Sequence, residues 1–251
     1  MLKFGSSILT DVSAFDAAAR EVASALERRN GVVAVVSAVG DTTDELIAQA
    51  ATVRGGTPDP AALATLLSTG EIASAALLAC ALHRIGVEAR ALDVHQLGLR
   101  GSGSIEDALP KTLDVGRLRG AIDEHRAVIV PGFIVVGPDG ELLLTGRGGS
   151  DLSALFLASQ LDADVRLVKD VAGVFESDPN VPGPPPRRYA TLSWAEAAEV
   201  GGVIVQPKAC HAAAQWELAF EVASLGAVEG DGTRIGPFER TFAAAPDGVA
   251  V

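Results

Sequence analysis

Short apolar runs alternate along the chain with Ala- and Leu-rich stretches of helical period, and this alternation limits the fold more than any other feature. Val32-Val33-Ala34-Val35-Val36, inside Gly31–Ala38, is continuous and valine-rich, which reads as a strand buried on both faces. Asp44–Gly55 reads as a helix with an Asp cap and a Gly stop. A longer helix is expected from Ser68 to Gly86, with Ser68-Thr69-Gly70-Glu71 as its capped first turn. Strands are expected over Val87–Asp93 and Ala127–Val130, and Phe133–Thr145 reads as a hairpin turning at Pro138-Asp139-Gly140. Further on, Asp151–Leu161 reads as helix, Val165–Val168 as buried strand, Thr191–Val200 as helix with Ser193 as cap, and Leu218–Ser224 as strand. Three consecutive prolines within Val181–Tyr189 forbid helix and central strand, which makes that stretch a surface loop. This order predicts a three-layer αβα sandwich around a largely parallel central sheet. In such sheets ligands bind beyond the carboxyl ends of the strands. Residues 1–241 are expected to form one domain, and 242–251 a frayed tail.

Composition narrows the partners. The chain has 251 residues, 48% of them hydrophobic, enough for one large core or two small ones. With 32 acidic and 20 basic residues its net charge is −12. Such a surface repels phosphate backbones and anionic lipid, so neither nucleic acid nor membrane is expected as a partner. No apolar run approaches the ~20 residues that span a bilayer, and MLKFGSSIL is not a signal peptide. Cys80 and Cys210 have no CxxC spacing and read as two buried thiols in a reducing cytoplasm. His83, His95, His125 and His211 lack ligand spacing, and no protein metal ligand is assigned.

Several stretches carry candidate chemistry. Lys3-Phe4-Gly5-Ser6-Ser7 is either a tight turn facing an anion with its N–H groups, hydroxyls and ammonium, or an ordinary turn beside a solvated lysine. Ser37–Asp44, with Ser37 and Thr43, offers hydroxyls and a helix start to a small polar ligand, or simply caps that helix. Glu71 reads either as a capping carboxylate or as a counter-ion for an ammonium. Gly146-Arg147-Gly148-Gly149-Ser150-Asp151 is the densest signal. Its glycines allow close backbone approach, Arg147 offers a planar fork to a carboxylate or phosphate, and Ser150 and Asp151 open a helix. Lys169-Asp170, followed by Gly173, Phe175, Asp178 and Pro179, comes directly after a strand and suggests a rim for a nucleotide base and ribose.

In this order, over nearly the whole chain, these motifs resemble the amino-acid kinase superfamily, most closely the catalytic domain of aspartate kinases. Lys3–Ser7 resembles the family's K-F-G-G-T-S, Val36–Asp44 its V-S-A-x-x-x-x-T, and Ser68–Glu71 its S-x-G-E. Gly146–Asp151 is identical to its G-R-G-G-S-D. Lys169–Pro179 resembles T-D-V-D-G-V-Y-T-x-D-P, Gly201–Lys208 resembles G-A-K-V-L-H-P-[RK], and Gly232–Ile235 its closing G-T-x-I. The resemblance implies transfer of the γ-phosphate of Mg-ATP to the side-chain carboxylate of aspartate or a close analogue, with ATP and Mg2+ as cofactors. It implies Lys3 on the phosphates and Asp151 orienting it. Arg147, Glu71, Ser37, Thr43 and Ser150 would lie around the acid. Gly5, Ser6, Ser7, Lys169, Asp170, Phe175, Asp178 and Lys208 would lie around the nucleotide. The family's habits imply a homodimer. The chain departs from the pattern at Ser6 (glycine in the family), Lys169 (threonine), Phe175 (tyrosine), Asn180 (a basic residue), Val203 (lysine) and Gln206 (histidine). No stretch matches the ACT domains that follow in aspartate kinases, so feedback inhibition by lysine or threonine is not expected.

Overall fold

The computed structural model describes residues 1–202 and 204–244. It begins with β1 (Leu2–Phe4), α1 (Phe15–Arg28), β2 (Val32–Val36), α2 (Thr42–Arg54), α3 (Pro60–Arg84) and β3 (Ala89–Ala91). Next come β4 (Arg100–Gly103), β5 (Ala108–Thr112), α4 (Val115–His125), β6 (Ala127–Pro131), β7 (Ile134–Val136) and β8 (Leu142–Leu144). It continues through α5 (Gly149–Leu161), β9 (Arg166–Lys169), β10 (Tyr189–Ser193), α6 (Trp194–Val200), α7 (Pro207–Gln215), β11 (Phe220–Ser224), β12 (Thr233–Gly236) and β13 (Thr241–Phe242).

A nine-stranded sheet runs in the order β13-β10-β12-β11-β9-β1-β2-β6-β3. Its central strands are parallel, and only β11–β12 and β10–β13 pair antiparallel. Strand alternation divides the core between the two faces. Val33, Val35, Val128, Val130 and Leu167 pack with Leu155, Ala158, Ala209 and Ala213 of α5 and α7. Leu2, Phe4, Val32, Ala34, Val36 and Ile129 pack with Ala18, Val22, Leu78 and Leu82 of α1 and α3. These are the three expected layers, and both faces of the valine run are buried.

The expected hairpin forms, with Ile134 opposite Leu144, but it belongs to a second sheet of order β5-β4-β7-β8. The other two strands of that sheet, with sequences RGSG and ALPKT, carry little β propensity, and only their pairing makes them strands. The helix expected from Ser68 begins at Pro60, where Asp59 accepts from the Ala62 N–H and proline occupies the first turn. Ser68 and Glu71 are therefore mid-helix, and Glu71 is no capping residue. By length and composition α3 could cross a membrane, but half of its apolar window is buried within the fold. Thr191–Ser193 is strand, not helix. Ser193 caps α6 in a reciprocal box with Glu196. Cys210 is buried as expected, whereas Cys80 is exposed on α3. Phe242, placed in the frayed tail by sequence, stacks on Tyr189 with ring centroids 4.8 Å apart, and residues 245–251 lie outside the described residues.

The Ser193–Glu196 box gives a small test of local stability. Ser193→Ala removes the hydroxyl that accepts from the Glu196 N–H at 3.2 Å. A cost of about 1 kcal/mol is expected, seen as a fall in Tm of roughly 2–4 °C by calorimetry.

Candidate active site

The carboxyl ends of β1 and β9 place two lysines side by side. Lys3 is in register with Leu167 on the parallel neighbour, so Lys169, two residues on, emerges on the same face. That face is covered by the first turn of α5. There Asp151, 3% exposed, forms an ion pair with Lys3, Nζ to Oδ1 at 2.8 Å, and accepts a hydrogen bond from Lys169 Nζ on Oδ2 at 2.8 Å. Burial alone would raise the Asp151 carboxyl, but the two ammonium groups outweigh it and hold the group below the usual carboxylate range. Burial, with the Lys3 ammonium beside it, pulls Lys169 below the usual lysine range against the attraction of Asp151. Two ammonium groups against one carboxylate leave a buried excess of positive charge, which is a demand for an anion.

The turn after β1 closes over this cluster. A Cβ on Gly5 would lie 2.8 Å from Lys3 Nζ, so a larger residue there would push the ammonium aside. Ser6 and Ser7 follow, exposed, on the same turn. Ser37, just past β2, donates to Ser150 Oγ at 2.9 Å. Gly132, just past β6, lies against Ser150, where a Cβ would approach to 2.8 Å. Thr43 is half-buried in the first turn of α2.

Glu71 is 3% exposed, and its Oε2 has no hydrogen-bond partner among the described residues. Burial pushes its carboxyl up to about 8, although the Ala38 N–H and the Lys3 ammonium pull the other way. Ser74 Oγ, three residues along the same helix, is also buried without a partner among the described residues. A dry, unpaired carboxyl is costly unless a cation joins it. Arg147 is exposed on the loop leading into α5.

The stretch after β9 that sequence reading assigns to a nucleotide rim is an irregular loop. Asp170 and Asp178 are exposed and Phe175 is half-buried, its backbone bridging to Arg188. Thr233, which sequence reading left without a role, ties the rim down. Its hydroxyl accepts from the Val174 N–H at 2.9 Å and donates to the Tyr189 carbonyl at 2.6 Å. The structure thus joins Lys3, Gly5, Asp151 and Lys169, and separately Ser37 with Ser150. Lys208 is set apart: it donates to the carbonyls of Thr145, at 2.8 Å, and Ala108, and pairs with Asp107. Val203 lies outside the described residues. A cavity of about 470 Å³ lined by Met1, Arg166 and Glu221 opens at the amino ends of the strands and holds none of these residues.

Among the described residues no group of three His, Cys, Asp or Glu side chains could hold a metal ion. Mg2+ is commonly held by one or two carboxylates together with substrate phosphates, so a cluster of three protein ligands is not required for it.

Comparison with known proteins places the chain in a family. The chain is 40% identical over 202 residues to an aspartokinase of Mycolicibacterium smegmatis, covering 79% of this chain and 47% of that protein. It is 36% identical over 226 residues to an aspartokinase of Geobacillus stearothermophilus, covering 88% of this chain and 55% of that protein. It spans about half the length of these curated relatives. The aspartate kinase structure from Synechocystis superposes with a TM-score of 0.80 at 32% identity over 94% of this chain and 39% of that one. A UMP kinase of Bacillus anthracis shares the fold over 97% of both chains, with a TM-score of 0.68 at 18% identity. Residues 1–217 match the family model described as the amino acid kinase family, and the chain belongs to that family.

Proposed function

We propose that the chain transfers the γ-phosphoryl group of ATP to the side-chain carboxylate of L-aspartate or a close analogue. A carboxylate oxygen attacks phosphorus, the bond to the β-phosphate oxygen breaks, and ADP leaves with that electron pair. The products are an acyl phosphate and ADP. The observation that carries this reading is the buried Lys3–Asp151–Lys169 cluster beneath the Gly5-Ser6-Ser7 turn. Phosphoryl transfer needs positioning and charge neutralisation more than covalent help, and a net positive, water-poor cluster supplies the second. Glu71 pairs with the α-ammonium and Arg147 with the α-carboxylate, while Ser37, Thr43 and Ser150 hydrogen-bond the acid. Gly5, Ser6 and Ser7 face the phosphates; Asp170, Phe175 and Asp178 hold base and ribose. Mg2+ bound with the nucleotide screens phosphate charge.

Binding without turnover is the competing reading, because the family's lysine is replaced at Val203. Lys169 favours turnover, since it puts a second ammonium on Asp151 from β9. We also place the protein in the cytoplasm as a homodimer.

ADP release measured across small amino and carboxylic acids tests the function: turnover with aspartate supports it, and ATP binding with no turnover on any acid overturns it. Arg147→Ala is expected to raise the KM for the acid by about tenfold or more, the worth of a lost charge-assisted pair, and to leave the KM for ATP nearly unchanged. Equal effects on both constants would remove Arg147 from the acid.

A further inference from the structure

The loop that carries Arg147 is walled on three sides. A Cβ on Gly146 would lie 2.4 Å from Asp107 Oδ1, one on Gly148 2.6 Å from the Gln206 side chain, and one on Gly149 2.1 Å from Thr145 Oγ1. Gly146 and Gly148 also hold φ values of 74° and 73°, which other residues resist. Between Gly146 and Gly149 only Arg147 bears a side chain, and the walls leave it the solvent side.

The start of α7 ties these walls together. Lys208 Nζ donates to the Thr145 carbonyl at 2.8 Å and to the Ala108 carbonyl at 3.2 Å, and it meets the Asp107 carboxylate. Gln206 Nε2 donates to the Gly202 carbonyl at 2.9 Å, which fixes the side chain that backs Gly148. An ammonium has three donors, and all three of Lys208 are engaged, so none is left for a phosphate. The tie also links the four-stranded sheet, through Asp107 and Ala108, to the helix layer of the large sheet.

We propose that Lys208 is a positioning residue that pins the Gly146–Gly149 loop through Thr145 and Asp107, so that Arg147 meets its anionic substrate in a fixed pose, and that it does not touch the nucleotide. This rests on the acid-binding role given to Arg147 above. It reassigns Lys208 from the nucleotide side, where its place in the sequence motif puts it, to the acid side.

Two measurements on the whole chain test it together: steady-state kinetics with ATP and aspartate, and amide hydrogen exchange of the ligand-free protein over residues 143–150. Lys208→Met is expected to raise the KM for the acid by roughly fivefold or more, the scale of a charge-assisted bond lost at one remove, with kcat and the KM for ATP within about twofold. The Gly149 amide, bonded to the Gly146 carbonyl at 2.9 Å, is expected to exchange faster. Lys208→Arg, which keeps charge and reach, is expected to restore most of both. A rise confined to the KM for ATP would put Lys208 on the nucleotide and overturn the proposal, as would unchanged exchange across the loop. Turnover of no acid by the unmodified protein would defeat the functional reading, and the exchange result alone would then decide the clamp. If Lys208→Met does not fold, Asp107→Asn weakens the same tie from its exposed end and carries the same expectations.

Discussion

Lys169→Met is expected to lower kcat for phosphoryl transfer by about 100- to 1000-fold, the loss typical of removing one preorganised donor from a site where charge develops. The KM for the acid is expected to stay within about threefold, because under the proposed function the ammonium acts on the phosphoryl group and contributes to the transition state more than to ground-state binding. The geometry behind this is the shared carboxylate: Asp151 holds Lys3 and Lys169 at 2.8 Å each, on adjacent parallel strands and on one face. The fold should tolerate the change. Methionine keeps the length of the stem, and Asp151 retains Lys3, so no buried charge is left without a partner. Lys169→Thr, which installs the residue that aspartate kinases carry at this position, is expected to lose as much as the methionine variant. The checks are single-turnover kinetics and circular dichroism on the same samples. Unchanged kcat in a folded Lys169→Met protein would make Lys169 only a structural partner of Asp151, and would strengthen the reading of a kinase fold that binds without turnover.

How much of this could be read in the sequence depended on whether the signal was local. The valine run of β2 declared itself because strands buried on both faces are continuously apolar. The Gly146–Asp151 stretch declared itself because dense glycine around one arginine has few uses. The start of α3 was missed because a capped serine four residues before an apolar run looks like a helix start; Asp59 and Pro60 compete for that role further upstream and win. The consequence reached the site, since Glu71 changes from a capping residue to a buried mid-helix acid. β4 and β5 were invisible because Gly, Ser and Pro form strands there only through pairing with each other and with β7. The partners of the lysines were not legible either. Lys169 shares Asp151 with Lys3 only because β1 and β9 are neighbours, and Lys208 meets Thr145 across 63 positions of sequence. Motif order indicates which residues gather; sheet register decides which of them touch.

Glu71→Gln is expected to raise the KM for aspartate by about 30- to 100-fold, the cost of removing the charged partner of a buried ammonium, and to abolish a pH dependence that the unmodified protein should show. The carboxyl in the empty site ionises only near pH 8, pushed up by burial. An ammonium needs the ionised form. Between pH 7 and pH 8.5 the ionised fraction rises roughly eightfold for such a group, so the KM for the acid should fall by about that factor as pH rises. The same group has a consequence for folding with the opposite sign. Its folded value lies above its unfolded value of 4.5, so its contribution to stability is complete below that pH and is lost as pH rises through about 8. The empty protein should therefore lose stability over this interval, and saturating aspartate should return it by holding the carboxylate beside a cation. Glu71→Gln keeps the shape of the side chain, cannot ionise, and should flatten both profiles. A KM for aspartate that is independent of pH in the unmodified protein, or a profile that survives in Glu71→Gln, would place the ammonium elsewhere in the cleft and leave the unpartnered Oε2 to be explained by a different cation.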